Sequence, residues 1–275
     1  MARLARPNTR LIALTSSPNR VQELQKLGIT SITGNLDHPS TINRLSGLAT
    51  RVIHLAPPPS SGELDPRTKH LVQTLKKRTP ALHCVYASTS GVYGNCEGAW
   101  VSETRSVNPT TERAKRRVDA ENHIKSLGST RLGTTRITTL RVPGIYAINR
   151  EQGTPEGRLK RGTAVLEASS DVYTNHIHAD DLARACWLAL WRGASQRTIN
   201  ASDDTQMKMG DYMDWAADHF GLHRPPRISL QDALQVLPQV QLSFMQESRR
   251  LINQRLKNEL RLKLLYPTIK EGLRG

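Results

Sequence analysis

Threonine, serine and tyrosine hydroxyls gather in the stretch HCVYASTSGVYGN, residues 83–95, directly after an apolar run. Thr89 and Ser90 could hydrogen-bond a substrate oxygen and steady developing negative charge, and Tyr93 offers a phenol that could move a proton. Lys115, Arg116 and Arg117 follow in NPTTERAKRRVDAE, residues 108–121, where they could form a phosphate patch or simply the solvated face of a charged helix. His176, His178, Asp180 and Asp181 form a second cluster whose residue types suit metal ligation. Against that reading, Asp180 suits a helix N-cap before Leu182, so no metal site is expected. The bland alternative for Ser88 and Ser90 is that they cap a strand end through local backbone hydrogen bonds.

The elements that must carry these groups follow from periodicity. Short apolar runs at 10–14, 29–33, 51–56, 82–87 and 137–142 alternate with amphipathic stretches, the pattern of an α/β protein with a largely parallel sheet. Ser17-Pro18 and Gly28 punctuate a first helix, and the triple proline 57–59 stops the third run. A long charged helix is predicted over 109–127 and another over 180–191. Ligands of open α/β sheets bind outside the carboxyl ends of the strands. That rule nominates Thr15, Ser16 and Ser17, then Leu36 and Asp37, then Ala56 and Pro57, then Thr89, and finally Pro143 and Gly144.

Composition bounds the partners. The chain has 275 residues, enough for a sizeable core, and its three cysteines include no CxxC pair, which suits a reducing cytoplasm. No segment reaches the length of a membrane span. A net charge of +15 raises nucleic acid as a partner. Because the basic residues are spread along the whole chain and aromatics make up only 4% of it, the linear pattern argues against that partner and for a diffuse basic surface.

Several motifs, in order, resemble the short-chain dehydrogenase/reductase superfamily in its atypical or extended branch, the NAD-dependent epimerases and dehydratases. They are STSGVYG at 88–94, NPTTERAKRRVDAE at 108–121, LRVPGIY at 140–146, NHIHADDLARA at 175–185, TINASDD at 198–204 and the tail YPTIKEGL. The resemblance implies a Rossmann-like doubly wound parallel sheet over 1–150 and a small C-terminal substrate lobe over 151–275. It implies NADP or NAD as cofactor, and hydride transfer on a sugar-nucleotide-like or small carbonyl substrate. Carried over by residue, the catalytic hydroxyl falls at Thr89 and the family lysine at Lys115. The acid/base tyrosine position is filled by Thr111, whose hydroxyl is far too weak an acid to replace a phenol. Tyr93 matches a family tyrosine that is not the acid/base and is the lesser candidate for that role. Asp65 aligns loosely with a family asparagine.

The sequence departs from the family again at its start, where no GxxGxxG turn precedes the first apolar run. A central first strand is therefore expected to be missing, leaving two strand edges unpaired and dinucleotide binding impaired in the chain as it stands. A start assigned too far downstream is the simplest account. No acidic residue ends the first run at Thr15, Ser16 and Ser17, so the remaining preference leans to NADP. The alternative functions are a non-catalytic NAD(P)-binding regulatory protein and, third, a basic nucleic-acid-associated protein.

Overall fold

The computed structural model describes residues 9–78, 82–129, 135–150 and 153–274. In chain order it begins with β1 (Ile12–Thr15), α1 (Asn19–Lys26), β2 (Thr30–Thr33), a 3-10 segment (Pro39–Leu45), β3 (Arg51–His54), α2 (Pro66–Lys76) and β4 (His83–Thr89). A 3-10 turn (Ser90–Tyr93), β5 (Trp100–Val101), α3 (Glu112–Gly128), β6 (Arg136–Val142), β7 (Gly144–Tyr146), α4 (Glu156–Lys160), β8 (Val165–Leu166), β9 (Tyr173–Thr174) and β10 (His176–His178) follow. The rest comprises α5 (Ala179–Arg192), β11 (Arg197–Asn200), β12 (Met207–Lys208), α6 (Met209–Phe220), β13 (Arg227–Ile228), α7 (Leu230–Val236), α8 (Gln239–Met245), β14 (Arg250–Leu251), α9 (Gln254–Asn258) and α10 (Ile269–Gly272).

The fold is α/β and Rossmann-like, as the alternation of short apolar runs and amphipathic helices requires. Four strands lie in the order β11-β6-β4-β3, and β3 pairs with β4 in parallel, Arg51 opposite His83. The Arg136 N–H donates to the Leu82 carbonyl, so β6 starts level with β4. β1 and β2 form a separate parallel pair. Among the described residues no strand precedes β1, and β1 and β3 each keep one unpaired edge. α1 has no buried residue, and neither does β1 or β2. By contrast, Leu71, Val72 and Leu75 of α2, Cys84 and Tyr86 of β4, Ile124 of α3 and Ile137 of β6, each at most 5% exposed, pack into one core.

The chain forms two compact units that interleave. The first comprises 1–88, 115–140 and 183–198; the second comprises 89–114, 141–182 and 199–275. The linear division at residue 150 expected from sequence does not coincide with this partition, because the chain enters the second unit at Thr89 and returns twice to complete the parallel sheet and its helices. The second unit has its own apolar core, built on Tyr146, Leu159, Val165, Met213, Ala216 and Ile269.

Local differences from the sequence reading have identifiable causes. The helix predicted from 109 begins at Glu112, because Thr111 Oγ1 accepts the Ala114 N–H at 3.2 Å and caps it. Asp180 is not the N-cap of α5: it lies inside the first turn, where its N–H donates to His178 Nδ1 at 3.2 Å. Pro143-Gly144 does not end the sheet structure, since Gly144 opens β7, which pairs in parallel with β10. The stretch 153–162 contains α4.

Candidate functional site

In the first unit the carboxyl ends of the strands are occupied by a polar network. His54, the last residue of β3, is 4% exposed and holds Thr68 Oγ1 at 2.8 Å through Nε2. The Thr68 hydroxyl donates to Asp65 Oδ2 at 2.6 Å, so His54 Nε2 carries the proton in that contact. Burial holds the imidazole down at about 4 and therefore neutral. Asp65 is the N-cap of α2, accepting the Thr68 N–H, and its own N–H donates to Asp119 Oδ2 at 2.7 Å. The loosely aligned Asp65 is thus fixed as a structural cap.

Arg67 organises the neighbouring edge. Its guanidinium binds both oxygens of Asp37 at 2.7 Å and reaches the carbonyls of Pro57 and Pro58 at 3.2 and 3.3 Å. This fork lowers the Asp37 carboxyl below the ordinary carboxylate range. Leu36 is buried and gives its carbonyl to His70 Nδ1, while Ala56 packs on the core. Sequence reasoning missed Arg67. Its only signal was its place one residue after the Asp-Pro start of α2.

Lys115 lies in the first turns of α3, and its Nζ is 2.5 Å from Glu63 Oε1 in an exposed ion pair. Its neighbour Arg116 donates to the Gly62 carbonyl, and Arg117 reaches Tyr86 Oη and the Ala87 carbonyl at 3.1 and 3.0 Å. Buried Glu121 accepts the Ser88 hydroxyl at 2.6 Å. The face of α3 that turns to the sheet therefore consists of groups already committed to partners.

Dinucleotide phosphates need free backbone N–H groups at a helix start. Here β1 runs into α1 through Thr15, Ser16, Ser17 and Pro18. Thr15 Oγ1 takes the Ser17 N–H at 3.1 Å, and Pro18 has none. Among the described residues no glycine-rich turn joins a strand to a helix in this unit.

In the second unit Thr89 ends β4 and caps the 3-10 turn, its Oγ1 accepting the Gly91 N–H at 3.3 Å. Its side chain is only half-buried, which leaves the hydroxyl able to meet a ligand. Gly94 has φ +66°, and a Cβ there would collide with the Asn108 carbonyl, so the turn requires glycine. Tyr93 is 1% exposed, donates its hydroxyl to Asn200 Oδ1 at 2.8 Å, and lies under the Arg141 guanidinium 4.6 Å from its ring centre. Tyr93 is thus buried with its hydroxyl bonded to Asn200. Thr111 Oγ1, like Thr89 Oγ1, accepts one backbone N–H, that of Ala114.

The tail returns to hold this turn. Arg249 Nη1 donates to the Gly94 carbonyl at 2.8 Å and to Glu247 Oε2 at 3.0 Å, and both side chains are buried. The Ser248 carbonyl accepts the N–H groups of Cys96 and Gly98. His176 and His178 are buried in β10 edge-on to Tyr146, and burial lowers His176 to about 3. Among the described residues no three metal-ligating side chains converge. Asp203, 4% exposed, is pushed up to about 7 by burial, and burial with the nearby Asp203 carboxyl pushes the Tyr146 phenol up. A cavity of about 400 Å³ is lined by Trp100, Asn175, Asp203, Arg250 and Asn253, among others, and by none of the sequence-predicted site residues.

The sequence matches the NAD dependent epimerase/dehydratase family over residues 1–202. The chain belongs to that family. No curated protein matches it. Among solved structures it is similar to a functionally unknown conserved protein from Silicibacter pomeroyi DSS. That match has a TM-score of 0.76 and 25% identity, covering 99% of this chain and 91% of the other. A UDP-glucuronic acid 4-epimerase from Bacillus cereus, solved with NAD, aligns at TM-score 0.73 and 15% identity over 98% of this chain and 89% of the other. A dTDP-glucose 4,6-dehydratase from Bacillus anthracis, also solved with NAD, aligns at 0.76 and 13% over 97% and 86%. At those identities the two enzymes share the fold with this chain.

Proposed function

We propose that the protein is an NAD(P)-dependent, epimerase/dehydratase-like oxidoreductase for a sugar-nucleotide-like or small carbonyl substrate. The observation that carries this reading is Thr89, a half-buried hydroxyl delivered by a buried strand to the carboxyl edge of a parallel sheet, in a chain of this family. Thr89 would orient the substrate oxygen. Lys115 would hold the nicotinamide ribose once released from Glu63, and Pro143 and Gly144 would border the nicotinamide. Thr15, Ser16 and Ser17 carry no carboxylate, which favours NADP over NAD. The C-terminal lobe, 151–275, would select the substrate. Three free, buried thiols suit a reducing cytoplasm, and no helix among the described residues is long and apolar enough to cross a membrane.

A second reading, a non-catalytic NAD(P)-binding regulatory protein, is favoured by Thr111. That residue stands in the acid/base position and spends its hydroxyl on a helix cap. Calorimetric titration with NADPH and NADH tests both readings, and absence of binding to either overturns both. Binding with no cofactor turnover across a panel of sugar nucleotides and small carbonyls favours the regulatory reading. Turnover that rises in Thr111→Tyr supports the oxidoreductase and the assignment of position 111 as the proton-transfer slot.

A further inference from the structure

The basic residues that look dispersed along the chain are sorted by the fold. Over its sequence ranges the first unit carries 21 Lys and Arg against 6 Asp and Glu, a net of +15, and the second carries 18 against 18, a net of zero. The whole excess charge of the protein resides in one unit.

Within that unit the topology concentrates it further. In parallel β/α architecture every strand start and every helix end falls at the amino edge of the sheet. Arg51 is the first residue of β3 and Arg136 the first of β6. Lys76 ends α2 and Lys77 follows it, Lys125 lies in the last turn of α3, and Arg192 ends α5. All six are exposed.

Contacts show one continuous surface. Lys76 Nζ meets Ser126 Oγ at 3.1 Å, Gln196 Nε2 donates to the Lys125 carbonyl at 3.0 Å, and the Arg51 guanidinium stacks 3.9 Å above the ring of Trp191, next to Arg192. Arg51 and Arg136 both act on His83 at the start of β4, adding to the burial that lowers its pKa. A base in the last turn of a helix is expected from the helix dipole. The same dipole disfavours acids in those last turns, but it does not explain Arg51 and Arg136 at strand starts. Lys125 Nζ also lies 4.0 Å from Oε2 of buried Glu121, whose other oxygen accepts the Ser88 hydroxyl near the carboxyl end of β4.

We propose that the amino edge of the sheet in the first unit binds the phosphate backbone of nucleic acid without base specificity. Six clustered cations on an edge with so few acids meet a polyphosphate by charge alone, and binding releases its condensed counterions. The edge lies at the opposite end of the strands from Thr89, so the surface is separate from the candidate catalytic position.

The test is fluorescence anisotropy with a labelled 20-base-pair DNA duplex and its RNA counterpart, titrated with the full chain at several salt concentrations. With about six phosphates engaged, the slope of log K against log salt on DNA is expected near −5, a loss of about 10³ in affinity between 50 and 200 mM salt. Lys76→Gln/Lys77→Gln/Arg136→Gln should weaken binding at least tenfold and make the slope shallower by about 3. Arg161→Gln/Lys270→Gln/Arg274→Gln, an equal charge change on exposed residues of the second unit, should leave affinity within twofold; circular dichroism confirms that both variants fold. No binding at 50 mM salt, equal losses in the two triple variants, or tighter binding to anionic lipid vesicles than to either nucleic acid would overturn the proposal.

Discussion

The two units handle charge in opposite ways. The second unit balances 18 bases with 18 acids and uses many of them internally: Glu247 with Arg249, Glu103 with Arg255 at 3.5 Å, Asp171 and Asp214 around Arg227, and buried Asp181 accepting the N–H groups of Leu265 and Tyr266. Apart from its helices and the ends of β6 and β11, it has strands of only two or three residues and irregular loops, whose backbone groups find no long ladder and are often satisfied by side chains instead. The first unit satisfies its backbone within helices and parallel ladders. It needs few acids inside, so its bases remain at the surface as a field. The contrast shows that net charge here belongs to an architecture rather than to the chain.

Breaking this contrast is most costly where the second unit depends on a buried pair. Arg249→Met strands the Glu247 carboxylate under the turn that carries Thr89, and should cost about 3–5 kcal/mol in a denaturant titration. Glu247→Leu combined with Arg249→Met should recover much of that loss, because no lone charge stays buried. The matching test in the first unit is Ile124→Ala at a fully buried position. A loss of about 2–5 kcal/mol is expected, with no dependence on ionic strength.

Acidity sharpens the contrast next. Asp203 of the second unit has its folded pKa raised from 3.8 to about 7, so the folded chain keeps a proton that the unfolded chain has released. Its stabilising contribution is present below pH 3.8 and is lost as pH rises toward 7, by about 1.4 kcal/mol per unit at most. His54 of the first unit is lowered from 6.5 to about 4, so its contribution is present above pH 6.5 and is lost as pH falls toward 4. Melting curves at pH 5 and 8 should show Asp203→Asn gaining on the parent protein at pH 8, and His54→Gln gaining at pH 5. The reverse order would show that these groups do not titrate across folding.

Smaller effects are expected on α3. Thr111→Ala should cost about 1 kcal/mol through the lost cap, whether or not the protein turns over a cofactor. Lys115→Gln removes an exposed pair and should change stability by less than about 1 kcal/mol. A large loss of NADPH affinity in that variant would mark Lys115 as a ligand group despite its contact with Glu63.

Much of the fold was legible because its signals are local. The alternation of short β runs with 3.6-residue periodicity, Asp65-Pro66 before α2 and the GVYG turn each encode an element within a few residues. The family motifs encode their order. The end of β4 at Thr89 was legible, but the engagement of the candidate side chains was not: Tyr93 is tied to Asn200, Lys115 to Glu63 and Asp37 to Arg67, partners 107, 52 and 30 residues away.

By itself, then, the sequence determined the α/β class and the family, because both depend on residue type and short spacing. Only the tertiary structure decided which hydroxyls and charges are already spent. It also gathered bases spread over some 140 residues onto one edge of one unit, because parallel β/α topology brings every strand start and helix end to the same side however far apart they lie in the chain.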